Sequence, residues 1–117
     1  MSTERLYDLG FINQVAKGNQ ALQERLCRSF VSSANGGLEE LHQALAENNL
    51  ENIGKAAHKL KSTIEAMRVI EGTRLIKLIE KSARLNVNVE AIPEMIHDAT
   101  TIIRETVTQL QTDLQLQ

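Results

Sequence analysis

The chain has 117 residues, 42% of them apolar and 24% charged, with a formal net charge of −2. That length can bury the core of one compact domain, and without a positive excess there is no electrostatic engine for non-specific binding to nucleic acid or anionic lipid. One proline, six glycines and 3% aromatic residues, beside abundant Leu, Ile, Ala, Glu, Gln and Lys, favour helices over strands, so the expected fold is all-α.

The first predicted element is a short helix over about Leu9 to Lys17, with Asp8 as its cap, Phe11, Ile12 and Val15 apolar, and Gly18 as its stop. Asn19 opens a second helix in which Leu22, Leu26, Phe30, Ala34, Leu38, Leu41 and Leu45 recur at steps of four and three. That stripe crosses Gly36 and Gly37, each costing about 1 kcal/mol in a helix interior relative to Ala. Its continuity predicts one helix as far as Ala46, bent at the glycine pair. The only cysteine, Cys27, lies in this helix, can form no internal disulfide, and reads as a small buried apolar residue in a protein of a reducing compartment.

Asn48 and Asn49 separate this helix from a third, LENIGKAAHKLKSTIEAM, which Asn49 can cap and in which Glu51 sits well in the first turn. A fourth is predicted from Ile70 to Leu85, with Leu75, Ile76, Leu78 and Ile79 apolar and Asn86 near its end. A fifth begins near Pro93 and carries Ile96, Ala99, Ile103, Val107, Leu110 and Leu114. Long apolar stripes joined by short connections predict an antiparallel four-helix bundle with a short N-terminal capping helix, as a single domain over residues 1–117. No run approaches the roughly 18 apolar residues of a membrane span, and MSTERLYDLG lacks the pattern of a signal peptide, so a cytoplasmic protein without a membrane role is expected.

The third helix carries the chemistry. Its seam is Ile53, Ala57, Leu60, Ile64 and Met67, and His58 points about 140° away from the mean direction of that seam, toward solvent. Side chains lean toward the helix N-terminus, so His58 leans over Gly54, and Ser62 leans back over His58. Both neighbours are small and leave room for a large partner. Lys55, Lys59 and Lys61 add positive charge suited to a phosphoryl group or an acidic pocket, with Lys61 best placed. His42 and His97 lie beside the stripes at Leu41 and Ile96 without such surroundings, and neither is a candidate.

The segment AHKLKST, within a helical domain of this size, resembles the phosphoacceptor motif of histidine-containing phosphotransfer (HPt) domains. That motif runs His, any residue, Leu, Lys, Gly, then Ser or Ala; His58, Leu60, Lys61 and Thr63 match in type, and Ser62 replaces Gly with another small residue. LHQALAENNLENIGKAAHKLK resembles the family's long helix, tight turn and phosphoacceptor helix, and YDLGFINQVAKGN its capping helix. Two residues depart from the pattern. Arg68 stands where the family usually has Gly, which should disturb close packing against the next helix, and Glu65 adds a negative charge where small residues are common, which should restrict the partners accepted.

The resemblance implies that His58, through Nε2, takes a phosphoryl group from the aspartyl phosphate of a response-regulator receiver domain, such as that of a hybrid histidine kinase. It would pass the group to another receiver's aspartate in a two-component phosphorelay. Lys61 would steady the phosphoryl charge, Ser62 and Gly54 keep the approach clear, and Lys55, Lys59, Glu65, Phe11, Ile12 and Val15 contact or steer the partner. With no glycine-rich phosphate loop and no Asp/Asn set for magnesium, neither ATP binding, a cofactor, a metal site nor autonomous enzymatic activity is expected, and a monomer suffices. Two alternatives remain: a helical docking module in which His58 is incidental, and a metal-dependent hydrolase, for which one exposed His offers at most one ligand.

Overall fold

The computed structural model describes residues 4–116, and among these no strand occurs. Its helices are α1 (Gly10–Ala16), α2 (Gln20–Ala46), α3 (Leu50–Ala66), α4 (Ile70–Leu85) and α5 (Ile92–Leu114), with one 3₁₀ turn at Val89–Ala91. The asparagines punctuate the chain for a stated reason. Asn19 and Asn49 each accept an N–H of the first turn, from Leu22 and Asn52 at 3.0 Å. Asn48 and Asn86 take the left-handed conformation, at φ of 52° and 54°, that turns the chain out of α2 and α4. Asp8 acts one residue earlier than expected: Leu9 occupies the cap position of α1, and the Asp8 carboxylate accepts the Gly10 N–H at 2.6 Å.

The helix α3 packs between α2 and α4, and α5 closes the ring against α4 and α2, while α1 lies on α2. The three-residue connections after α2 and α3 make those neighbours antiparallel, as the stripes predict. Leu41, Ile53, Leu60, Ile64, Met67, Ile76, Ile79, Ile96, Ile103 and Leu110 form the fully buried centre, and Cys27 is buried among them. One stripe residue departs: Leu78 remains 39% exposed, because α4 turns Leu75, Ile76 and Ile79 inward and Leu78 outward.

The helix α2 runs unbroken through Gly36 and Gly37, and the two glycines have different reasons to be there. A β-carbon on Gly36 would meet nothing within 4 Å, whereas one on Gly37 would stand 2.7 Å from Cδ1 of Leu60. Leu60 is 1% exposed, so its side chain would have to shift within the core to admit that carbon. Gly37 therefore sets the close approach of α2 to the part of α3 that carries His58. Gly36→Ala should raise stability by about 1 kcal/mol through helix propensity, while Gly37→Ala should lower it by about 1 to 2 kcal/mol through overpacking. Urea midpoints of the two variants, shifted in opposite directions, are the check.

Arg68, just past α3, adopts φ 54° while its N–H bonds the Glu65 carbonyl at 3.0 Å. This corrects the expectation from sequence: what favours glycine here is the left-handed backbone, costing an L-residue about 1 to 2 kcal/mol, and not close packing of helices. The Arg68 side chain points outward to Asp8 at 3.6 Å with both ends half-exposed, a link worth about 0 to 1 kcal/mol.

Candidate functional site

The position of His58 on α3 puts its ring on the flank facing α4, with 56% of the side chain exposed. There Nδ1 meets Oε2 of Glu80 at 2.8 Å. Glu80 projects from α4, is only 11% exposed, and also receives Nζ of Lys61 at 3.2 Å on Oε1 and Nη2 of Arg84 at 3.2 Å on Oε2. Burial alone would raise the Glu80 pKa, but the hydrogen bonds from His58 and Lys61 and the charges of Lys61 and Arg84 outweigh it and hold the carboxyl below its ordinary 4.5.

An ionised carboxylate can only accept, so the proton shared with His58 resides on Nδ1. In the neutral ring the lone pair is then on Nε2, the nitrogen directed away from Glu80. The geometry thus selects a tautomer and leaves the nucleophilic nitrogen accessible. Because the folded pKa of Glu80 is lowered, its stabilisation is fully present above about pH 4.5 and is lost as pH falls through the lower folded value. In urea titrations between pH 6 and pH 3, Glu80→Gln should lose less stability over the acid part of that window than the wild type. Equal slopes would mean that Glu80 does not carry the effect.

Of the three lysines near His58, only Lys61 shares a partner with it. Lys59 bonds Glu40 at 3.1 Å and Lys55 faces Glu51 at 3.6 Å, both turned to an open groove of about 740 Å³ between α2 and α3. Their charge is thereby partly neutralised, contrary to a uniformly positive surround. Gly54 is buried and does not face a partner: a β-carbon there would lie 3.4 Å from Cγ of Arg84 and 3.8 Å from Ala83. The missing side chain lets Arg84 lie across α3 on its way to Glu80.

On the other side of His58, Ser62 is exposed and donates its hydroxyl to the Lys59 carbonyl at 3.2 Å. It shares a concavity of about 270 Å³ with Phe11, Glu65, Ala66 and Arg68. Phe11 and Val15 are 44% and 45% exposed, so α1 offers an apolar surface close to Ser62. Ile12 does not belong to that surface: at 6% exposure it joins the core, because α1 has room for only one inward face against α2. Glu65 pairs with Lys77 of α4 at 3.3 Å. His42 is a structural tie. The Thr100 hydroxyl donates to the Ile96 carbonyl at 2.7 Å and is met by Nε2 of His42 at 2.8 Å.

Glu80 and Arg84 are the site residues that sequence reasoning missed. The available signal was slight: Glu80 lies four residues after buried Ile76 and four before Arg84, on the margin of the α4 stripe. Among the described residues no group of three His, Cys, Asp or Glu side chains could hold a metal ion, and no helix is long and apolar enough to cross a membrane.

The described helices thus form a bundle in which α4 fixes the exposed His58 ring through the largely buried Glu80 carboxylate. A model of the Hpt domain matches residues 25–115, and the chain belongs to that family, whose members carry phosphoryl groups in two-component signalling and work with receiver domains. In fold the chain is similar to histidine-containing phosphotransfer protein B (HptB) from Pseudomonas aeruginosa PAO1, with a TM-score of 0.85 at 18% identity over 97% of each chain. No curated protein matches it in sequence.

Proposed function

We propose that this chain, acting as a single domain in the cytoplasm, accepts a phosphoryl group on Nε2 of His58 from a receiver's aspartyl phosphate and delivers it to the aspartate of another receiver. The observation that carries this reading is the 2.8 Å contact of His58 Nδ1 with Glu80. In the forward step the Nε2 lone pair forms the P–N bond as the bond from phosphorus to the aspartyl oxygen breaks, and the receiver keeps the electron pair as a carboxylate. The ring becomes an imidazolium whose Nδ1–H stays on Glu80, so positive charge develops against a fixed negative one. In the return step the second aspartate attacks phosphorus, and the ring leaves as the same neutral tautomer it began as.

Lys61 and Arg84 lie on Glu80 in the free protein, and their charge beside the ring would help to steady an incoming phosphoryl group. The receiver would bring the magnesium and the acidic pocket. Phe11, Val15 and Ser62 provide the surface on which it rests, and Lys55 and Lys59 steer it at longer range.

Incubation with a receiver carrying labelled aspartyl phosphate is the test. Acid-labile, base-stable label on the peptide containing His58 is expected, followed by its passage to a second receiver. Absence of label with receivers that bind the chain would instead favour the docking-module reading.

A further inference from the structure

Two exposed side chains at the α3–α4 turn are only weakly held by the fold. Ile70 is 77% exposed, more than any other large hydrophobic side chain among the described residues. Arg68 keeps a left-handed backbone at φ 54°, and its long side chain lines two neighbouring hollows. Its guanidinium lies over Gly10 and reaches Asp8 at 3.6 Å, an exposed link worth less than the backbone strain. The apolar body of Ile70 gains almost nothing from burial.

Their surroundings point to a use. Arg68 and Glu65 line both the 270 Å³ concavity that contains Phe11 and Ser62 and a second one, of about 390 Å³, that contains Ile70 and Arg74. The two hollows form one surface that starts a turn beyond His58 and ends on α4. At 1.5 Å per residue the end of α3 at Ala66 lies about 12 Å from His58, and Arg68 stands just beyond it, inside the roughly 800 Å² that a standard interface covers on each partner.

We infer that Arg68 and Ile70 form the outer edge of the receiver-docking surface and determine which receivers are accepted. The inference rests on the assignment of His58 as phosphoacceptor. Ile70 gives the partner an apolar anchor, and Arg68 exchanges its long contact with Asp8 for a carboxylate on the receiver. A receiver with an aliphatic side chain beside an acidic one at the matching place is favoured, and one with a basic residue there is excluded.

The test compares wild type, Arg68→Gly, Arg68→Lys and Ile70→Ser in transfer from a panel of phosphorylated receivers, with melting temperatures measured alongside. Arg68→Gly should melt about 4 °C higher while its KM for the preferred receiver rises about tenfold at unchanged kcat. Arg68→Lys should keep KM within about threefold of wild type without the thermal gain. Ile70→Ser should raise KM about fivefold with no change in melting. A gain in melting temperature for Arg68→Gly with unaltered KM for every receiver that labels wild type would overturn the inference and leave His58 in place. Wild-type self-association abolished by Ile70→Ser would assign the patch to a second copy and overturn it as well. A wild-type chain labelled by no receiver would remove both readings together.

Discussion

His58→Gln takes up no phosphate above background from a phosphorylated receiver, while its stability changes by less than about 1 kcal/mol. The two halves of that expectation have separate causes. Labelling vanishes because glutamine has no nucleophilic ring nitrogen to place where Nε2 stands. Stability is nearly kept because the side chain is 56% exposed and an amide can still donate to Glu80. The other two histidines provide the contrast. His97→Gln should label normally at wild-type stability, whereas His42→Gln should label normally but lose about 1 kcal/mol, since it breaks the tie to Thr100 between α2 and α5. Phosphoramidate assays on the three variants, each with a urea denaturation curve, separate loss of the acceptor from loss of fold. Full labelling of His58→Gln would falsify the assignment.

Glu80→Gln is expected to slow transfer at saturating receiver on the order of 10- to 100-fold, with little change in KM. The amide is nearly isosteric, so packing on α4 is conserved, but it presents a donor as well as an acceptor. If its NH₂ turns to His58, the ring proton moves to Nε2 and the nucleophilic lone pair is lost from the accessible side. If its carbonyl turns instead, the imidazolium formed during transfer lacks a full countercharge. Lys61 and Arg84 also lose the carboxylate that holds them. Nitrogen-15 spectra of the imidazole should show Nδ1–H in the wild type and a mixed or reversed tautomer in Glu80→Gln. Single-turnover transfer gives the rate. An unchanged rate together with an unchanged tautomer would reduce Glu80 to a residue that merely satisfies buried cations.

The stripes of α2, α3 and α5, the asparagine caps and the outward direction of His58 were all legible in the sequence. Each depends on a period of 3.6 residues or on a side chain bonding its own backbone a few positions away. Nothing beyond the local chain is needed to work them out. The apolar seam of α3 likewise sufficed to keep His58 out of the core, and the residues around it carried the resemblance to phosphotransfer domains.

What lay beyond the sequence involves a second helix in every case. A helical wheel states which way His58 points from its own axis, not which residue of α4 stands beside it, and Glu80 is 22 positions away. The same blindness made Gly54 look like open space for a partner, when the space is filled by Arg84. It made all three of Phe11, Ile12 and Val15 look alike, when docking on α2 buries Ile12 alone. It hid the left-handed turn at Arg68, which is set by how α3 must end to let α4 return. Local periodicity therefore determined the helices and the outward face of His58, while the partner of its ring and the shape of the surrounding surface were decided by packing α3 against α4 and α1 against α2, because hydrogen bonds and burial depend on neighbours in space.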